Sequence, residues 1–203
     1  MSRPILFVDF DGTICTDRYW HSLSGEEQVR LQQALFVDNK PLAHAWMRGE
    51  KTSEEINQFL ADTCSLDYGE LWNTFVTDCK SFALENGVYG AIGEVRTRYR
   101  TVLVTDNMDC FGRFIVPSIK LDKVFDHIWN SSDHGFLKND YDGRAYTEAC
   151  HELGADISEC VLIDDREHSI DTFAQLGGQT YLTGSPKDTV LYLNHILNRS
   201  EAL

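Results

Sequence analysis

Apolar positions in this chain follow two rhythms, and the change between them divides it. Ile5-Leu6-Phe7-Val8 is a continuous apolar run that ends in Asp9-Phe10-Asp11-Gly12-Thr13. A run this short fits a strand buried on both faces of a parallel sheet. From about 18 to 86 no clear strand follows, and the spacing turns helical. Helices are predicted over 25–36 and 42–46. Thr52-Ser53-Glu54-Glu55 ahead of Ile56, Phe59 and Leu60 reads as a helix start: hydroxyls, early acids, then apolar spacing of three and four. Leu71, Trp72, Phe75 and Val76 share one face of a helix over 68–82.

From about Gly87 strands and helices alternate. The pattern predicts helices over 88–99, 110–119, 145–153, 170–176 and 188–197, with Gly154 and Gly177-Gly178 as stops. Strands are predicted at 101–105, 124–129, 160–164 and 180–182. Such alternation predicts an α/β fold, a doubly wound parallel sheet with helices on both faces. The helical block interrupts it directly after the first strand. We read 17–87 as an inserted α-helical cap above the carboxyl ends of the strands, with 1–16 and 88–203 forming the core domain. The alternative is a block that forms one side of a single globule.

Composition narrows the functional classes. The net charge is −14, from 32 acidic and 18 basic residues, without a Lys/Arg-rich run. That argues against nucleic acid or a membrane surface as partner. No apolar run reaches the roughly 18 residues of a membrane span. Ser2-Arg3-Pro4 leads at once into the first strand, so no signal peptide is visible and a cytoplasmic location is expected. The six cysteines form no C-x-x-C pair and no zinc-finger spacing, which predicts reduced thiols. Cys15, close to the acidic motif, is either an oxidation-sensitive thiol or a small buried residue.

Chemistry is expected where the strands end, because parallel sheets bind ligands there. Three strand ends carry polar groups: Asp9 with Asp11, Thr105 with Asp106 and Asn107, and Asp164 with Asp165. Carboxylates gathered at one edge repel unless a cation intervenes. Hard oxygen donors suit Mg²⁺, which takes one or two carboxylates and readily shares a phosphate. A phosphate also wants a hydroxyl, backbone N–H groups and a fixed positive charge. Thr105, the turn at Asp11-Gly12 and Lys138 can supply them.

In this order, DFDGT after an apolar strand, then Thr105, Lys138 and the Asp164-Asp165 pair, the chain resembles the haloacid dehalogenase (HAD) superfamily over essentially its whole length. A helical insertion after the first motif matches members whose cap lies there. The resemblance implies that Asp9 is a nucleophile that becomes an aspartyl phosphate. It implies that Asp11 protonates the leaving oxygen and then activates water, and that Thr105 and Lys138 hold the phosphoryl group. It assigns Mg²⁺ to Asp9, the Asp11 backbone carbonyl and Asp165, with Asp164 as helper. Dehalogenases of the superfamily lack an acid two residues after the nucleophile, since a halide needs no proton; an alkoxide does. Asp11 therefore points to a phosphatase acting on a small phosphorylated metabolite. A phosphomutase and a catalytically silent phospho-ligand module are the alternatives. A receiver-type signalling domain fits less well, since its acidic pair comes first and its phosphorylated Asp later.

The chain departs from the family in places. Asn139 follows Lys138 where proline is frequent, which leaves Lys120 and Lys123 as rivals. Asp106 adds a negative charge beside the phosphate unless it points away, and Ser169 stands where many members carry a further acid. His21, at the entrance to the cap, and Arg48, in the loop Arg48-Gly49-Glu50-Lys51, are candidate substrate contacts; a boundary surface residue and a solvated turn are the plainer readings. His134 and His168 lack metal spacing. Trp46, Trp72 and Phe75 read as cap core. The substrate and the oligomeric state stay open.

Overall fold

The computed structural model describes residues 3–198. β1 (Ile5–Val8) is followed by helices α1 (Gly25–Gln32), α2 (Lys40–Met47), α3 (Ser53–Cys64) and α4 (Tyr68–Lys80). Then α5 (Val88–Val95) leads into β2 (Arg100–Thr105), and the short helices α6 (Val116–Ser118) and α7 (Leu121–Val124) into β3 (His127–Asn130). The one-turn helix α8 (Ser131–His134) and α9 (Asp140–Leu153) precede β4 (Val161–Asp164). α10 (Glu167–Gln175), β5 (Gln179–Leu182) and α11 (Pro186–Asn198) complete the order.

The strands form one parallel sheet in the order β3-β2-β1-β4-β5. β1 lies at its centre, and all four of its residues are buried. Side chains alternate across the sheet with the period of two that a strand imposes. Leu6, Val8, Leu103 and Ile163 pack into one apolar cluster with Val88, Ile92 and Leu193 of α5 and α11. Ile5, Phe7, Val102, Val104 and Leu162 pack into the other with Tyr146 and Phe173 of α9 and α10. Helices thus cover both faces, as the alternation predicts, and a continuous apolar run is what such a strand requires.

Local chemistry sets the helix ends. At α3 the Thr52 hydroxyl accepts the Glu55 N–H and the Glu55 carboxylate accepts the Thr52 N–H, a complete capping box. Ser24 and Asp67 cap α1 and α4 in the same sense. Several boundaries differ from the pattern. The helix expected over 25–36 is regular only to Gln32 and continues as a π-helical turn over 33–37. The strand expected over 124–129 is shifted: 121–124 is helical and the strand runs from His127 to Asn130. The 110–119 segment is a π-helical turn at 111–115 followed by α6. Tyr141, Asp142 and Gly143 have positive φ, so regular helix begins after them, near the expected 145.

The helical block from α1 to α4 packs on the loops at the carboxyl end of the sheet. Its core of Trp20, Trp46 and Phe75, fully buried, belongs to the same apolar cluster as Leu6 and Val8. Trp72 stacks beside Tyr68 at its edge. All six cysteines are free and buried. Burial pushes the Cys15 thiol up to about 12, which keeps it from the reactive thiolate form and answers to the small buried residue.

Candidate active site

β1, β2 and β4 are adjacent, so their ends deliver the acidic and hydroxyl residues to one crevice. The Asp9 N–H donates to Ile163 O at 3.0 Å, the last tie of β1 to β4 before the chain turns. Asp9, Asp11, Thr105, Asp106, Lys138 and Arg166 line a cavity of about 250 Å³ there. Lys138 is only 3% exposed. Its ammonium lies 2.8 Å from Asp9 Oδ1 and 2.7 Å from Asp164 Oδ2. Burial works against that charge, but the two carboxylates outweigh it and hold Lys138 charged.

Asp9 and Asp164 are buried, and Asp165 is exposed beside them. Each offers an oxygen, and these oxygens all lie within 4.8 Å of one another. Burial, reinforced by Asp164, pushes the Asp9 carboxyl up to about 8 against the pull of Lys138. Burial and then Asp164 raise Asp165 as well. This donor set fits a divalent cation: hard oxygens, converging, with more negative charge than Lys138 offsets. Gly12 allows the convergence. Its φ is +76°, and a Cβ there would lie 2.4 Å from Asp165 Oδ2.

Asp11 differs from Asp9 in exposure. Its side chain keeps 41% of its surface and faces the crevice. Asn107, at the end of the β2 loop, donates to Asp11 Oδ2 at 3.3 Å and lies 3.5 Å from Thr105 Oγ1. Tyr19 donates its hydroxyl to Asn107 Oδ1. Arg18 stands 3.6 Å from Asp11 Oδ1.

Some expected roles shift. The Gly12 N–H donates to Cys15 O at 2.8 Å, so the turn spends that donor internally and Gly12 serves as spacer to Asp165 instead of as a phosphate donor. Asp106 does not point away; it lines the crevice, and its Oδ1 accepts the Lys138 N–H at 2.7 Å, so it holds the lysine loop. Asn139 bonds the buried Ser169 Oγ at 3.1 Å, tying that loop to α10. Lys120 and Lys123 do not line the crevice, and Lys123 pairs with Asp122 at 2.7 Å. His21 lies 3.9 Å from Asp78 and 3.3 Å from Ser81, outside the crevice lining. Arg48 is engaged with Asp140 at 3.0 Å, and Asp140 also accepts the Leu137 N–H. His134 stacks on Trp129, whereas His168 lines the crevice. Arg166, Asn107 and His44 are site residues to which the motif order assigns no role. Arg166, next to the acidic pair, was the one a charge argument could have found.

A family model described as haloacid dehalogenase-like hydrolase matches residues 4–177. The chain belongs to this family. Solved structures of HAD proteins share its fold. A predicted HAD-like family hydrolase from Porphyromonas gingivalis is 21% identical, with a TM-score of 0.72 over 97% of this chain and 98% of that one. A HAD family enzyme of Bacteroides thetaiotaomicron, solved with magnesium and inorganic phosphate, is 15% identical, with a TM-score of 0.65 over 88% and 93%. L-2-haloacid dehalogenase from Xanthobacter autotrophicus, with chloropropionic acid covalently bound, is 12% identical, with a TM-score of 0.60 over 89% and 76%. No match was found among the curated proteins. Among the described residues, no helix is long and apolar enough to cross a membrane. The chain is therefore a HAD-like hydrolase whose crevice joins acids, a lysine and a buried threonine at the strand ends.

Proposed function

We propose that this HAD-like hydrolase is a Mg²⁺-dependent phosphatase that hydrolyses a small phosphate monoester. The observation that carries the reading is Asp11: a second carboxyl group, two residues beyond Asp9, open to the crevice and bonded by Asn107. Breaking a phosphate ester expels an alkoxide, which needs a proton, and Asp11 can give it and later take one from water. Asp9 attacks phosphorus in line and forms an aspartyl phosphate, and water then releases it. Thr105 donates its hydroxyl to a phosphoryl oxygen. Lys138, fixed between Asp9 and Asp164, offsets charge as the phosphoryl group arrives. Asp9, Asp164 and Asp165 would hold Mg²⁺, together with the Asp11 carbonyl, and the cation would neutralise phosphate charge. In this reading 17–87 is a cap that covers the site, and 1–16 with 88–203 is the catalytic core. A small phosphorylated metabolite is the substrate class, since a covered site excludes bulky esters.

The opposing reading within the family is dehalogenation, for which Asp11 has no task. A release screen decides between them: phosphate from small esters with Mg²⁺, halide from 2-haloacids. Phosphate release is expected, and Asp9→Asn and Asp11→Asn should each abolish turnover. Halide release from wild type, or phosphate release at wild-type rate from Asp9→Asn, would overturn the proposal.

A further inference from the structure

A second chamber of about 290 Å³ adjoins the catalytic crevice. Asp11, Met47, Asp106 and Arg166 line both, so the two spaces meet where the leaving group of a bound phosphate ester would stand. Tyr19, Phe36, Met47, Phe82 and Met108 form its apolar wall, with Asp17, Arg18 and Gln32 beside them. Tyr19, Phe82 and Met108 are buried, and the Tyr19 and Phe82 rings lie 5.7 Å apart. Beyond Gln32 and Phe36 an exposed groove continues over Val29 and Val37.

Around Tyr19 several polar groups of the wall are already engaged, whereas Arg166 lines the end shared with the crevice. The Tyr19 hydroxyl donates to Asn107. Gln32 Nε2 donates to Tyr19 O at 3.3 Å. Arg18 Nη1 lies 3.2 Å from Asp17 O and 3.6 Å from Asp11. At the end formed by Tyr19, Phe36, Phe82 and Met108, away from Arg166, a polyhydroxylated sugar would give up water and meet aromatic rings and a thioether, so hydroxyls placed there would lose partners. A planar apolar group would instead stack and bury surface.

We propose that this chamber receives the alcohol portion of the substrate, and that this alcohol is an aromatic or heterocyclic one. The proposal rests on the phosphatase reading above, and its test separates the two. 2-Phenylethylphosphonate and methylphosphonate share a phosphonate head and resist hydrolysis at the carbon–phosphorus bond. Both are titrated calorimetrically into the Mg²⁺-loaded protein. The phenylethyl probe should bind on the order of tenfold tighter, as burial of one ring warrants, and Phe36→Ala should erase the advantage. Equal affinity of the two probes for the wild type overturns the proposal, a comparison that needs no variant. Retention of the advantage in Phe36→Ala overturns it too. In a second arm, kcat/KM is measured for 2-phenylethyl phosphate and glycerol 1-phosphate, both alkyl esters. Preference for the phenylethyl ester supports the assignment, and preference for glycerol 1-phosphate overturns it. No phosphate release from any ester of the screen above, with the difference in phosphonate affinity intact, fails the phosphatase reading and upholds the chamber's preference for a ring.

Discussion

Replacing Gly12 with alanine adds one carbon where the acidic turn meets the acidic pair. The new Cβ would stand 2.4 Å from Asp165 Oδ2 and 2.8 Å from its Cγ. Ordinary contact begins near 3.4 Å, so the carboxylate must retreat by about 1 Å, a displacement that positioned groups do not tolerate. The backbone adds its own cost, because φ of +76° is left-handed, worth about 1–2 kcal/mol for a residue with a Cβ. For a chain of this size that lowers Tm by about 2–8 °C. The retreat also draws Asp165 from the oxygens of Asp9 and Asp164. Disturbing a ligand's placement costs roughly 10–100-fold in metal affinity. Calorimetric titration of Mg²⁺ into wild type and Gly12→Ala measures that loss, and circular dichroism checks the fold. Unchanged Mg²⁺ affinity in a folded Gly12→Ala protein would refute the reasoning, and with it Asp165 as a ligand.

Lys138→Met removes the cation between two buried carboxylates. Losing one member of a buried ion pair costs about 3–5 kcal/mol, so Tm should fall by about 6–20 °C, less so when Mg²⁺ is present; a melt within error of wild type speaks against the pairing of Lys138 with Asp9 and Asp164. Burial pushes the Asp9 carboxyl of the folded chain up to about 8, against a usual 3.8. The folded protein therefore holds a proton that the unfolded chain releases, and its stability should decline between those values as pH rises. Melts in EDTA should show this slope, and Asp9→Asn or saturating Mg²⁺ should flatten it; an equal slope in Asp9→Asn removes Asp9 as its source. Asp109 accepts from Trp46 at 2.8 Å, Ser53 at 2.6 Å and Arg113 at 2.7 Å. Burial pushes its carboxyl up, but those bonds outweigh it and hold it below the usual range. Asp109→Asn should lose about 1–3 kcal/mol in urea unfolding at pH 7, and the loss should shrink as pH falls below about 4.

The central strand was legible because burial on both faces leaves no polar position to confuse it, and its end marked the site. The same logic found Thr105 and the Asp164-Asp165 pair, each at the end of a strand adjoining β1. Lys138 was harder, because a loop placed it and no period announces a loop residue; its order after β3 was the only signal. What local pattern could not supply is pairing across the chain. Arg48 meets Asp140 from 92 residues away, and His21 turns to Asp78, which no spacing rule connects. Gly12 looked like a donor turn, whereas the carboxylate facing it sits far along the sequence. β3 was misplaced at its start because Leu121 and Val124 bury themselves from a short helix. A few apolar residues in such a stretch suit either form.

The contacts between the helical block and the sheet bear on how the site is held. Ser131 Oγ donates to Met47 O at 2.7 Å, and a Cβ on Gly49 would lie 2.3 Å from Ser132 O. Asp140 accepts from both Arg48 and the Leu137 N–H, one residue before Lys138. Asp106 takes the Lys138 N–H itself. The loop that aims the ammonium is therefore pinned from the sheet by Asp106 and, through Asp140, from the helical block by Arg48. From the other side, Tyr19 reaches Asp11 through Asn107. The residues proposed as charge-bearing and proton-transferring groups thus each have one support in the helical block. A block that only sheltered the crevice would need no such ties. Its arrangement here fits one that also sets the geometry of the groups beneath it, so that changes at Arg48 or Tyr19 should act on turnover through Lys138 and Asp11 without touching either.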